Sequence, residues 1–501
     1  MILEALSQVL VMKTIFIVAA GVLGGIVVGS IPGLTVTMAV AILISFTYGW
    51  NLVESLALIL GVYAGGFYGG SQSAILINIP GAPSAIATTI DGYPLALKGE
   101  AGEAIGLATV ESFFGGIIGI CILAFVAPPI SQFALNFRSH EYLLLGIFGL
   151  TMVSKLASKS LLKGIISACF GVFVSLIGLD VVYGAVGRFT YGKTLLMGGI
   201  NFVPALIGLF AISEVLTQLE KTQSIPAIIS KTVGKLPKLS VLKRYFYITI
   251  RSSLIGTFIG ALPGVGGTVS ALVAYDDVQR YVKRPSRPFG TGAYEGVVAP
   301  ESANNATIGG ALIPALTLGI PGDAVTALIL GAFFLHGLRP GPLLMVRSPD
   351  IFWVIVFIGI ISNIFLLIFG LLYSRISVYI ITVKITILMP IIILISAIGS
   401  YAFESNMFHV QAMLVLGIIG WIMRKFDFSI GAMVLGIILG PIIDDNLRRA
   451  LLLSHGSNLL ISFLSRPISA VLIVLILGLI LSEIQWVKNL PRKIKSLVMP
   501  K

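Results

Sequence analysis

Long apolar runs separated by short polar punctuation set the layout of this chain. They cover Lys13–Gly29, Gly33–Trp50, Leu52–Gly70, Ala104–Ile130, Tyr142–Val153, Leu162–Tyr183, Gly198–Leu216, a stretch opening at Tyr245, Ile351–Tyr373, Ile385–Ala402, Met407–Met423, Phe428–Ile443 and Ile468–Ile484. Lipid offers backbone groups no partner, so runs of this length satisfy themselves as helices. One crossing takes about 20 residues, and the pattern predicts an all-α polytopic membrane protein with about 10–13 membrane segments. The run that opens at Lys13 leads straight into a Pro-Gly element and reads as a retained helix, not a cleaved leader.

Several runs are interrupted. Gly29-Ser30-Ile31-Pro32-Gly33, Ile79-Pro80-Gly81, Gly260-Ala261-Leu262-Pro263-Gly264 and Gly319-Ile320-Pro321-Gly322-Asp323 each set Pro and Gly inside apolar sequence. Pro removes a backbone donor and Gly adopts conformations a helix cannot use. Each element therefore predicts a broken or re-entrant helix, which membrane depth tolerates only where protein or a watery cavity covers it.

The breaks pair up. Pro80-Gly81 recurs 241 positions on as Pro321-Gly322, and Pro32-Gly33 recurs 231 positions on as Pro263-Gly264. Under the larger shift Glu54 falls on Glu295, Gly69 on Gly310, Tyr63 on Asn304 and Ala82 on Asp323. The frame is shared and the polar content differs. The second copy holds ten more residues between its breaks, assigned to the basic loop from Asp276 to Gly290. The resulting division is a first half, 1–217, a basic linker, 218–244, a second half, 245–484, and a basic tail, 485–501.

Loop charge orients the chain, since Lys and Arg favour the cytoplasmic side. With the linker (Lys221, Lys231, Lys235, Lys238, Lys243, Arg244), Arg424-Lys425 and the tail inside, the loops after the two equivalent breaks, Lys98–Glu103 and Arg339–Asp350, fall on opposite sides. The repeats are therefore expected to be inverted. Arg448 and Arg449 fall outside in this count, against the rule.

Paired broken helices in inverted halves are the sequence signature of a secondary-transporter site. Half-helix N-termini carry free N–H groups and partial positive charge that suit an anion. Unwound carbonyls and C-termini suit Na+ or H+. Candidate anion contacts are Ser71, Ser73, Asn78, Pro80, Gly81, Ser84 and Thr88 in the first half, and Asn304, Asn305, Thr307, Pro321, Gly322 and Thr326 in the second. Candidates for the coupling ion are Asp323, Thr35, Thr268 and Gly264. Each has a plainer alternative. Ser and Thr back-bond to their own helices or glue helices together. Asp323 equally suits the N-cap of the half-helix after Pro321. Glu54 and Glu295 suit helix starts, Arg339 suits an interface anchor, and Glu301 is a further acid inside an apolar tract.

Composition narrows the class. The chain is 57% hydrophobic and 11% charged, with mean hydropathy +1.03, whereas soluble domains carry about 25% charged residues. The net charge of +12 is the excess expected of cytoplasmic loops rather than a nucleic-acid surface. Cys121 and Cys169 lie in apolar runs, and His140, His336, His409 and His455 show no ligand spacing, so neither a disulfide framework nor a metal site is expected. Gly264-Val265-Gly266-Gly267-Thr268 lacks dinucleotide-loop spacing, and Gly69-Gly70-Ser71-Gln72-Ser73 lacks a nucleophile elbow. The chain is not expected to be an enzyme.

At Ile31–Val40, Tyr68–Gly99, Leu262–Tyr275 and above all Gly296–Ala332 (GVVAPESANNATIGGALIPALTLGIPGDAVTALILGA) the chain resembles the large, TctA-type membrane subunit of the tripartite tricarboxylate transporters. The resemblance implies a multi-pass permease in a bacterial inner membrane. It implies a small TctB-type membrane subunit and a periplasmic or extracellular TctC-type solute-binding protein as partners, with a carboxylate such as citrate as cargo. It implies drive by a cation gradient, Na+ or H+, with no ATP and no cofactor, and a P-loop is indeed missing from the sequence. The rival reading from another class is an ion or small-solute channel with the Gly-rich breaks as its filter.

Overall fold

The computed structural model describes residues 2–156, 158, 160–180, 186–220, 234–383, 385–402, 404–453 and 459–482. Lys221, Lys231, His455 and the basic tail lie outside them. In chain order the helices begin α1 (Ile2–Val9), α2 (Met12–Ser30), α3 (Val36–Phe46), α4 (Leu52–Ile77), α5 (Ile86–Leu97), α6 (Ala101–Ala134), α7 (Ser139–Leu156) and α8 (Leu161–Ser175). A short antiparallel hairpin, β1 (Gly178–Leu179) with β2 (Gly187–Arg188), leads to α9 (Thr194–Met197) and α10 (Phe202–Leu206). A π-helical stretch, Ile207–Ile212, joins α10 to α11 (Ser213–Leu219). Then follow α12 (Leu239–Gly260), α13 (Gly266–Tyr281), α14 (Glu295–Leu318), α15 (Ala324–Leu335), α16 (Leu344–Arg347), α17 (Pro349–Tyr373), α18 (Ser377–Ile381), α19 (Ile385–Ala402), α20 (Met407–Lys425), α21 (Ile430–Leu453), α22 (Leu459–Leu464) and α23 (Pro467–Leu481).

Among the described residues, 8 helices are long and apolar enough to cross a membrane, and four shorter apolar ones accompany them. The protein is thus an all-α, multi-pass membrane protein. The run 162–183 supplies all but the first of the 15 residues of α8 and then enters the hairpin, and the run 33–50 supplies only the 11 residues of α3.

The residues cluster into two compact units, 1–135 with 203–422, and 136–202 with 423–501, each drawing on both halves of the chain. In the second unit α21 packs on α7 and α8, and α23 on α7. Its buried Asp180 bonds Arg188 (2.7 Å) and Arg448 (3.0 Å), and Asp444 bonds the same two arginines at 3.0 and 3.1 Å. Two acids against two arginines make a cluster without net charge.

The first unit holds all the broken helices. Helices end at Ser30, Ile77, Gly260 and Leu318 and resume at Val36, Pro83, Gly266 and Ala324, where Pro83–Ala85 is a single 3-10 turn leading into α5. Both α4 and α14 stop with a left-handed residue, Asn78 (φ 57) and Gly319 (φ 72), which stand 241 positions apart. Backbone contacts repeat as well. A Cβ on Gly25 would meet Val62 O at 2.4 Å, and one on Gly256 would meet Ala303 O at 2.1 Å. Gly29 would meet Gly66 O at 2.2 Å, and Gly260 would meet Thr307 O at 2.5 Å. Each pair carries the offsets 231 and 241, so α2 lies on α4 as α12 lies on α14. Without water to drive helices together, such close approach through small residues is the main source of packing energy in lipid. Pro300 and Pro314 lie inside α14 without interrupting it. Gly115 and Gly119 of α6 seat against Ser302 O and Ala306 O of the same helix.

Candidate functional site

The breaks create half-helices whose first turns need donors satisfied. Two are closed by their own side chains. Thr35 caps α3 by accepting from Met38 N at 3.1 Å. Asp323 caps α15 in a capping box: its carboxylate accepts from Thr326 N at 2.8 Å, while Thr326 Oγ1 accepts from Asp323 N at 2.9 Å. These two helices pack on each other. Tyr63 of α4 sits at this crossing and donates its hydroxyl to the Asp323 carboxylate, its ring edge-on to Phe67 at 4.8 Å. Val36 fills the remaining space against Gly66, whose Cβ would lie 2.5 Å from Val36 Cγ2.

The other two are open. Neither the turn Pro83–Ala85 nor α13 has a side-chain cap. They pack on each other too. Gly267 is the point of convergence: a Cβ there would lie 2.5 Å from Asn304 Oδ1, 2.9 Å from Phe67 Cε2 and 3.2 Å from Ser84 Cβ. Asn304 Nδ2 donates to Phe67 O at 3.2 Å, whereas Asn304 Oδ1 and Ser84 Oγ are buried without a protein partner. Uncapped helix starts carry about half a positive charge each. Two of them, a hydroxyl and a rotatable amide therefore converge where a missing side chain leaves close backbone access. Such a cradle has the donors to receive an anion, and Asp323 lies close by, since a Cβ on Gly266 would stand 3.7 Å from Asp323 Cβ.

The remaining residues named from sequence fall into four groups. Ser71 (2.6 Å) and Thr88 donate to Glu301, so they serve a buried carboxyl. Thr307 back-bonds to Ala303 O and pairs with Ser270 at 2.6 Å, Ser73 back-bonds to Gly70 O, and Asn305 Nδ2 reaches Glu301 O at 3.4 Å. Pro80, Gly81, Pro321, Gly322 and Gly264 build the breaks, with Gly264 N donating to Gly322 O at 2.7 Å. Asn78 is exposed and acts as the left-handed cap of α4, and Thr268 is half-buried in the first turn of α13. Sequence reasoning missed Gly267 and Phe67, which carry no polar signal. It also missed Glu111, a carboxyl submerged in the apolar run of α6.

The extra residues of the second half form a strap, 282–294, across the α5–α6 corner. Asp91 accepts from Tyr275 OH (2.8 Å) and from the N–H groups of Gly290, Gly292 and Ala293 at 2.8–2.9 Å. Arg287 forks onto Glu100 at 2.7 and 2.9 Å. The guanidinium holds the Glu100 carboxyl below the usual carboxylate range.

Comparison with known proteins agrees with this architecture. The profile of the "Tripartite tricarboxylate transporter TctA family" matches residues 15–435. A protein of Agrobacterium vitis described as an uncharacterized 52.8 kDa protein in the TAR-I ttuC' 3' region is 38% identical over 453 residues, 90% of this chain and 89% of that protein. A second, described as an uncharacterized protein in the TAR-II ttuC' 3' region of the same organism, is 39% identical over 218 residues, 44% of this chain and 89% of its own length. No solved structure matches. With a match that spans its breaks, its half-helix crossings and most of its length, the chain belongs to the tripartite tricarboxylate transporter TctA family.

Proposed function

We propose that this chain is the permease subunit of a solute-binding-protein-dependent, cation-coupled symporter that imports di- or tricarboxylates such as citrate across a bacterial inner membrane. A small TctB-type membrane subunit and a TctC-type binding protein are its partners, and its two repeats run in opposite senses through the bilayer. The observation that carries this reading is the crossing of the uncapped starts of α13 and the Pro83–Ala85 turn beside Asn304. A carboxylate entering there accepts from backbone N–H groups of the first turn of α13 and from Ser84 Oγ. Asn304 turns its amide so that Nδ2 faces the ligand and Oδ1 leaves it. Neutral donors hold an anion without trapping it, as transport requires. The frame repeated at offsets 231 and 241 supports a duplicated fold, and with inverted halves the site would lie where their broken helices meet.

The test is uptake by the full chain reconstituted with its membrane partner and binding protein, across a carboxylate panel with Na+ and pH varied. Saturable uptake that collapses with the cation gradient is expected. Gradient-independent, non-saturating flux would favour a channel and overturn the reading.

A further inference from the structure

Two carboxyls lie in the packed centre of the first unit, and among the described residues no Lys or Arg ion-pairs with either. Glu301 of α14, 0% exposed, accepts from Ser71 of α4 at 2.6 Å, Ser112 of α6 at 2.9 Å and Thr88 of α5. Glu111 of α6, 1% exposed, accepts from Thr249 of α12 at 2.6 Å and Ser302 of α14 at 3.0 Å. The two are cross-wired, since the serine following each glutamate donates to the carboxyl of the other.

The charges on neighbouring elements are already engaged. Asp91 on α5 is held by Tyr275 and the strap, Arg251 on α12 by Asp277 on α13 (2.6 Å), and Asp323 by Tyr63. Tyr68 on α4 pairs with Thr109 at 2.7 Å. A buried carboxylate without a counter-ion is expensive, and intramembrane acids are kept for ion pathways.

A second observation points the same way. Gln72 Oε1, next to Ser71, and Asn305 Oδ1, one turn past Glu301, are buried acceptors that have no donor. The region is short of hydrogens rather than of oxygens. The hydroxyls already touch the carboxyl oxygens, so a proton adds with one hydroxyl turning its hydrogen away, whereas a metal ion would need them to part and turn their lone pairs inward.

We infer that Glu301, with Glu111 as its relay partner, binds the proton whose movement drives carboxylate uptake, an assignment that rests on the symport reading above. The proton adds to a carboxylate lone pair, and the O–H so formed donates to Ser71 or Ser112. The displaced hydroxyl hydrogen turns to a carbonyl one turn back in its own helix, as Ser73 and Ser302 already do. Release returns the proton to water on the other side, no heavy-atom bond breaks and no electron moves. Coupling follows from position. Glu301 and Asn304 stand about one turn apart on α14, as do Thr88 and Ser84 beside them, so an ionised Glu301 repels an anion in the cradle and a neutral one admits it.

The test compares citrate counterflow with uphill citrate uptake in proteoliposomes containing the full transporter. Glu301→Gln is expected to keep counterflow and lose accumulation driven by a pH gradient, and Glu111→Gln to slow that accumulation. Accumulation by Glu301→Gln on a pH gradient, or wild-type accumulation on a sodium gradient at equal pH, would overturn the assignment. No counterflow by the wild type of any carboxylate in the panel would instead overturn the permease reading beneath it. Carbodiimide labelling of the wild-type protein gives an answer even if the variants misfold. Labelling of Glu301 that grows as pH falls and is slowed by citrate is expected, and its absence from Glu301 overturns the proposal.

Discussion

The two half-helix crossings of the first unit share a backbone frame and differ in what stands at matching places. In one, Thr35 caps α3, Asp323 and Thr326 cap α15, Val36 fills the gap and Tyr63 plugs it. In the other the counterparts are Gly266, Ala82, Ala85, Gly267 and Asn304. Every side chain that satisfies or fills the first crossing is replaced by one that leaves backbone donors and space in the second. One break is capped and filled and its mate is not, so duplication of the frame alone does not make two equivalent crossings.

The sharpest way to break this contrast is to exchange the fillers. Gly267→Val would set a side chain against Asn304 and Phe67 and should cut uptake by about 100-fold, since charge-assisted hydrogen bonds worth about 1.5–3 kcal/mol each are lost. The reciprocal Val36→Gly should cost about 2 kcal/mol of stability through the lost packing, yet spare substrate affinity. Uptake assays beside thermal unfolding in detergent separate the two. Equal losses of uptake from both would erase the distinction.

Asn304→Ala removes one amide from the cradle and should weaken carboxylate binding about tenfold, read as a rise in half-saturating concentration with folded yield unchanged. Asp323→Ala acts at the capped crossing and should lower stability by about 1–2 kcal/mol with affinity retained. A loss of affinity on Asp323→Ala with unchanged stability would move the anion to the wrong crossing.

The smallest expected effect concerns the strap over the α5–α6 corner. Arg287 holds the Glu100 carboxyl below its usual range. The depressed value means the contact stabilises above the unfolded carboxyl's pKa and is lost as pH falls through the folded one, below the ordinary carboxylate range. For a partly exposed pair this is worth at most about 1 kcal/mol. Protection of the 286–294 amides, relative to their intrinsic exchange rates, should fall in that range, and Arg287→Ala should lower it at neutral pH. A flat profile would show that Asp91 and the backbone hold the strap alone.

The positions of the breaks were legible because Pro and Gly act through the local backbone, and two constant offsets tied them together. The helical interior of Asn304–Gly310 was less so: Pro300 and Pro314 look like stops, but the tight packing of α14 on α6 and α12 carries the helix through them. Asn78 read as a ligand because it is polar beside Pro80, whereas its left-handed φ makes it the counterpart of Gly319. Glu111 was hidden by the apolar average of its run. Which crossing is closed depends on Tyr63 reaching Asp323 across 260 residues of sequence, a pairing that no local pattern encodes.

The most direct test of the open crossing is protection. In a background with Cys121 and Cys169 replaced, Ser84→Cys and Thr35→Cys each place one thiol at one crossing, for modification by a small thiol reagent with and without citrate. The account predicts that citrate slows modification at position 84 and leaves position 35 unchanged; protection at 35 with none at 84 would contradict it.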